Sequence, residues 1–158
     1  MIVFSGGLNH YLHRKLNLPT YGKLEEGKHF ATGRYIETFS LENPWHFGSL
    51  ICSDAWNPAL VHLTLLKGAV TLIIPVNSAD ATVSLDFSNP EEWDLLLSFY
   101  SRMYGVPILM SNRVGSEAGL TFWGGSRIMD ARGRDLIRAS DTKEELIVAD
   151  LDLSLIHI

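Results

Sequence analysis

The period of hydrophobic and polar positions changes several times along this chain, and those changes divide it into elements. Met1 to Phe4 is apolar, and Ser5-Gly6-Gly7 turns it almost at once. Tyr11 to Leu18 alternates, with Leu12, Arg14, Leu16 and Leu18 on one side and His13, Lys15 and Asn17 on the other, which predicts a strand stopped by Pro19. The polar loop up to Gly33 carries Tyr21, Phe30, Glu25 and Glu26, more than a linker needs. Arg34 to Leu41 alternates again and predicts a strand hairpinned through Glu42-Asn43-Pro44 to the apolar run Phe47, Leu50, Ile51. The period then turns helical. Asn57 as N-cap, Pro58 in the first turn and Gly68 as C-cap bound a helix over Pro58 to Lys67.

Val70 to Val76 is a continuous β-branched run, the pattern of a strand covered on both faces. Asn89-Pro90-Glu91-Glu92 opens a second helix with a cap, a proline and two acids against the dipole. It runs to about Tyr104, with Trp93, Leu96, Leu97, Tyr100 and Met103 on one side. Val106 to Met110, Thr121 to Met129 and Leu146 to Ala149 are the remaining predicted strands, with a turn at Asp130-Ala131-Arg132-Gly133 between the last two. Helices between central strands and antiparallel pairs at both ends predict a layered α/β domain with a mixed sheet. Two helices on one face leave the other face of the sheet to a second sheet layer or a partner subunit.

Composition narrows this little. At 158 residues, 46% hydrophobic and 20% charged, the chain is one soluble globular domain's worth of sequence. A formal net charge of -5 gives no reason to expect nucleic acid or an anionic membrane as partner. A single cysteine rules out an internal disulfide framework, and with no membrane-length apolar run or signal segment the expected compartment is the cytoplasm. The six histidines show no metal-ligand spacing, and the Gly-rich pieces lack a phosphate-loop context, so neither metal nor cofactor is expected.

The chemistry falls at His46 to Pro58, HFGSLICSDAWNP. Cys52 ends an apolar strand and precedes a helix start, where turn N–H groups and the positive end of a helix dipole favour thiolate over thiol. A lone cysteine without context is more often one more small apolar core residue. The surrounding motifs supply the context.

His13-Arg14-Lys15-Leu16-Asn17-Leu18-Pro19-Thr20-Tyr21-Gly22 resembles the lysine motif of the nitrilase or carbon-nitrogen hydrolase superfamily. Leu24-Glu25-Glu26-Gly27-Lys28-His29-Phe30 resembles its loop glutamate motif, and Gly48-Ser49-Leu50-Ile51-Cys52-Ser53-Asp54-Ala55-Trp56 with Pro58 its nucleophile motif. Asn112-Arg113-Val114-Gly115 and Phe122-Trp123-Gly124-Gly125-Ser126 are also similar to stretches of that family. The motifs come in order and cover nearly the whole chain.

The resemblance implies a four-layer αββα sandwich, mixed sheets with helices on the outer face, incomplete here. It implies thiol-dependent hydrolysis of a non-peptide carbon-nitrogen bond through a cysteine thioester, on a small amide, carbamoyl amine or nitrile. Carried over residue by residue, Cys52 is the nucleophile, Lys15 the cation that stabilises the tetrahedral intermediate, and the Ser53 N–H a second donor. Glu26 matches the additional loop glutamate that positions substrate. Tyr21, Trp56 and Asn112 fall in the substrate pocket or its support, and Asp54 and Arg113 take structural roles in holding the nucleophile turn. Ser53 departs from the acidic or aromatic residue more usual in the family, which leaves the backbone role intact and the substrate preference open. A homo-oligomer is expected of the full-length parent.

The family's general base is a glutamate ahead of the lysine motif, and the first carboxylate in this chain is Glu25. The expectation is therefore a partial domain over 1–152, lacking a leading segment and the C-terminal extension, with weak or no turnover by itself. Leu153-Ser154-Leu155-Ile156-His157-Ile158 looks like the translation of a transposon end used in library preparation, a non-native tail on this reading. The competing functional reading is a non-catalytic member or fragment whose cysteine is structural or redox-responsive.

Overall fold

The computed structural model describes every residue except Lys23, Glu42, Asn43, Ala81, Thr82, Leu85, Leu153 and residues 155–158, and for Asn9 the backbone alone. The chain divides into two compact units, Met1–Ile74 and Pro75–Ile158. Among the described residues no helix is long and apolar enough to cross a membrane.

In the first unit β1 (Ile2–Ser5) and β2 (Leu8–Leu12) form an antiparallel hairpin. Its turn needs left-handed backbone at two successive positions, φ 58 and 78, and Gly6 and Gly7 supply it. A single helical turn, α1 (Glu26–His29), interrupts the long polar loop, which the sequence pattern alone does not show. β3 (Thr38–Ser40) pairs antiparallel with β4 (His46–Ser49), as the hairpin reading expects; its turn residues Glu42 and Asn43 lie outside the described residues. β4 in turn runs parallel to β5 (Thr71–Pro75), and α2 (Pro58–Leu66) makes the crossover between them. Asn57 caps α2 by accepting the Ala59 N–H at 3.1 Å, as predicted.

Leu50, Val61, Leu72 and Ile74 are wholly buried in this unit, and Tyr11, Phe39 and Phe47 stack beside them with successive ring centroids 4.5 and 5.4 Å apart. The Tyr11 phenol is pushed up to about 12, first by burial and then by the charge of Glu37, so it stays a donor at neutral pH and holds the Glu37 carbonyl at 3.0 Å. Gly48 lies where α2 presses on β4. A Cβ there would stand 2.1 Å from Thr64 Cγ2 and 3.1 Å from Ala69 Cβ, and Thr64 is itself buried and hydrogen-bonded to the Leu60 carbonyl. Gly48→Ala should therefore destabilise the fold by about 1–3 kcal/mol, read as a lower urea midpoint at unchanged m.

The second unit holds α3 (Asn89–Tyr104), which buries Trp93, Leu97 and Tyr100 and ends at Gly105 in the left-handed conformation. Its N-cap is Ser88, one residue earlier than predicted; Asn89 instead donates from Nδ2 to the Ala79 carbonyl at 2.6 Å. β6 (Ile108–Ser111), β9 (Arg127–Met129) and β10 (Asp135–Arg138) are antiparallel with β9 in the middle, and β7 (Val114–Glu117) and β8 (Leu120–Trp123) form a separate hairpin. Arg127 is 2% exposed, and its guanidinium meets Asp94 of α3 at 2.5 Å, fastening helix to strands through a charge that cannot be left unpaired.

Four predicted strands are corrected. The run Tyr11 to Leu18 is regular only to Leu12, because the Leu16 and Asn17 N–H groups are taken by the Asp54 carboxylate instead of a neighbouring strand. Of Arg34 to Leu41 only Thr38–Ser40 pairs, since three residues of β4 are all it has to pair with. Thr121 to Met129 is two strands, because Gly124 and Gly125 both adopt left-handed backbone, φ 60 and 63, and break the extended run. Leu146 to Ala149 forms no strand; Leu146 is 92% exposed, and the last strand is Asp135–Arg138, after the predicted turn.

Candidate active site

Strand β4 ends at Ser49, and three residues later the backbone of Cys52 turns left-handed, φ 49. A non-glycine residue pays about 1–3 kcal/mol for that conformation, so the surroundings must impose it. A 3-10 turn over Cys52–Trp56 follows before α2 begins at Pro58. α2 begins at Pro58, where the sequence places it, and because a macrodipole acts within the first turn, the help to the thiolate expected from that helix is small at a sulfur six residues earlier. What remains for the sulfur is a sharp, strained turn. The cysteine is partly exposed, while Ser53, Asp54 and Ala55 beside it are buried.

Asp54 is what imposes the turn. Its carboxylate is fully buried and accepts four hydrogen bonds, Oδ1 from the N–H groups of Leu16 at 2.8 Å and Asn17 at 2.7 Å, Oδ2 from the Ile51 N–H and His13 Nε2, both at 3.1 Å. Four donors fill the lone-pair capacity of a carboxylate. The side chain thus clamps the residue before the cysteine to the two residues after Lys15. Ser53 repeats the connection: its hydroxyl donates to the Asn17 carbonyl at 2.6 Å, and Asn17 Nδ2 donates to the Ser53 carbonyl at 3.4 Å. These bonds explain why a small hydroxyl residue follows the cysteine here.

Lys15 leaves that clamped segment as a mostly buried side chain, 13% exposed, and both oxygens of Glu26 in α1 accept from its Nζ, at 2.6 and 2.7 Å. The Tyr21 phenol is pushed up, first by burial and then by charge on Cys52 and on Glu26. Tyr21 and Trp56, with Asn17, Leu18, Pro19 and Ser53, line a cavity of about 210 Å³.

The remaining predicted site residues lie in the second unit. Asn112 Oδ1 accepts the Ser78 N–H at 2.9 Å, and its backbone exchanges two bonds with the Ser126 hydroxyl, at 2.9 and 3.1 Å, so it fastens three segments of that unit. Arg113 pairs with Glu117 and lies over the Phe122 ring, 4.4 Å from its centroid. Among the described residues no three His, Cys, Asp or Glu side chains gather in a way that could hold a metal ion. Sequence reasoning missed His13 and Asn17 as partners of the nucleophile turn, since contacts to Asp54 and Ser53 across 41 and 36 residues leave no local signal.

Comparison with known proteins places the chain among its relatives. The glutamine-dependent NAD(+) synthetase of Thermotoga maritima is 32% identical over 143 residues, 90% of this chain and 24% of that protein. The N-carbamoylputrescine amidase of Arabidopsis thaliana is 26% identical over 164 residues, 98% of this chain and 54% of that protein. The crystal structure of a carbon-nitrogen hydrolase from Helicobacter pylori G27 matches with a TM-score of 0.80 at 27% identity, over 94% of this chain and 54% of that one. The chain thus spans from about a quarter to about half of the length of these relatives. The mixed strands and helices of this chain, together with that match, give the α/β sandwich class expected from the motifs. The carbon-nitrogen hydrolase family model matches residues 2–157, and the chain belongs to the carbon-nitrogen hydrolase family.

Proposed function

We propose that this chain carries the nucleophile and the electrostatic catalyst of a thiol amidohydrolase acting on a small amide or carbamoyl amine. The observation that carries the reading is the buried Asp54 carboxylate, which ties the Ile51 N–H beside Cys52 to the Leu16 and Asn17 N–H groups beside Lys15, with Glu26 holding the Lys15 ammonium and Cys52 on a strained left-handed turn. In the proposed cycle the Cys52 thiolate attacks the carbonyl carbon, a C–S bond forms and the carbonyl oxygen takes up the negative charge. Lys15 Nζ and the Ser53 N–H are the donors aimed at that oxygen. Collapse breaks the C–N bond, the amine leaves with a proton, and water then cleaves the thioester to a carboxylic acid and the free thiol. Glu26 gives Lys15 a fixed direction, because two short charge-assisted bonds hold the flexible ammonium stem in one place.

The thiol needs a proton acceptor, and residues 1–24 hold no Asp or Glu. Glu26 is committed to Lys15, so the proposal gives the general base to a carboxylate ahead of the lysine motif in the parent protein. Residues 1–158 alone should then release ammonia about 10²- to 10⁴-fold more slowly than a protein extended upstream to include it. The assay is ammonia release from simple amides, carbamoyl amines, nitriles and glutamine, with intact mass used to detect an acyl group on Cys52. Equal activity in both forms would place the base inside the chain. No ammonia and no adduct from a folded extended protein would favour the structural or redox-responsive cysteine.

A further inference from the structure

His13 stands out among the buried polar residues because nothing in the catalytic cycle uses it. It is 2% exposed, its ring lies parallel to that of Tyr11 at 6.5 Å, and its Nε2 lies 3.1 Å from Asp54 Oδ2 across 41 residues of sequence. Asp54 accepts at every one of its other contacts, so Nε2 is the protonated nitrogen and donates. The other ring nitrogen, Nδ1, is buried without a hydrogen-bond partner. A buried imidazole with one nitrogen unsatisfied is costly, and the one side-chain hydrogen bond it makes is to Asp54.

That bond goes to the carboxylate that ties the cysteine turn to the lysine segment. With His13 donating to Oδ2, the carboxylate plane is fixed with Oδ1 toward the Leu16 and Asn17 N–H groups and Oδ2 shared with the Ile51 N–H. The residues so held are the next neighbours of Lys15 on one side and of Cys52 on the other. We infer that His13 is a positioning residue: acting through Asp54, it sets the register of Lys15 against Cys52. This rests on the proposed roles of those two residues, but it is read without substrate.

The test is iodoacetamide alkylation of Cys52 against pH in the full chain, folding being checked by circular dichroism and thermal unfolding. His13→Gln keeps an amide N–H near the place of Nε2, and His13→Met has similar length and no donor. The inference expects His13→Met to raise the thiol midpoint by about one unit, cutting alkylation at neutral pH about tenfold, and His13→Gln to restore most of it. A structural role alone would lower the melting temperature of both and leave the midpoint in place, which overturns the inference. If His13→Met does not fold, His13→Leu, which also lacks a donor, takes its place with the same two outcomes. Lys15→Met separates the two claims. If it leaves the wild-type midpoint unmoved, the assignment of Lys15 beside the thiol is wrong; if it raises the midpoint and His13→Met does not, only the role of His13 is.

Discussion

In the protein extended upstream to include the base, replacing Cys52 with alanine should lower the rate of amide hydrolysis on the order of 10⁶-fold in kcat while leaving the fold intact, because removing a covalent nucleophile ends the route and leaves only background catalysis by the donors around it. The prediction carries a stability signature that separates it from misfolding. Alanine keeps a Cβ and therefore the cost of left-handed backbone at φ 49, so Cys52→Ala should melt near the wild type. Cys52→Gly removes that cost and should be more stable by about 1 kcal/mol though equally inactive. Lys15→Met should lose about 10²- to 10³-fold, mainly in kcat, since its donor acts on charge that develops only in the transition state. Assays of ammonia release with melting curves on the same preparations check all three. A Cys52→Ala protein that keeps more than a few per cent of wild-type turnover would end the thioester proposal.

The parts of this fold that were legible in the sequence are those where local chemistry and tertiary packing agree. The Asn57-Pro58 start of α2 and the span of α3 were readable because caps, prolines and apolar stripes act within a few residues. The strand run Tyr11 to Leu18 misled because its alternation was real while its hydrogen bonds went elsewhere. Asp54, nearly forty residues on, takes the N–H groups of Leu16 and Asn17, and Leu12 is 54% exposed although it belongs to the apolar side of the pattern. The glycines at 124 and 125 could have broken the Thr121 to Met129 run on sequence grounds, for consecutive glycines mark a bend more often than a strand interior. For the site, residue types and motif order offer Cys52, Lys15 and Glu26 as candidates, and the structure pairs Lys15 with Glu26. The support was hidden, because a serine, a histidine and an asparagine in contact across the chain have no spacing rule to betray them.

Asp54 is the residue whose loss should cost stability most. It has no exposed surface, and with its carboxylate gone the Leu16, Asn17 and Ile51 N–H groups and His13 Nε2 all lose their acceptor. An unsatisfied buried donor costs about 1–3 kcal/mol, so even with partial access of water Asp54→Ala should lose about 4 kcal/mol or more. Asp54→Asn is the sharper test because it keeps size and shape. Its amide oxygen can serve one pair of donors, but its NH₂ must then face the other pair, donor against donor, and about 3 kcal/mol should go. Urea unfolding followed by tryptophan fluorescence measures both, with an unchanged m showing that the denatured state is not what moved. The strain at Cys52 gives a second readout in the same protein: with Ile51 and the lysine segment released, nothing forces φ 49, and thiol alkylation should approach that of a free cysteine, midpoint about 8.5. A loss under 1 kcal/mol in Asp54→Asn would mean that the clamp between Ile51 and Asn17 does not hold the nucleophile turn, and the geometry assigned to Lys15 and Cys52 would need another source.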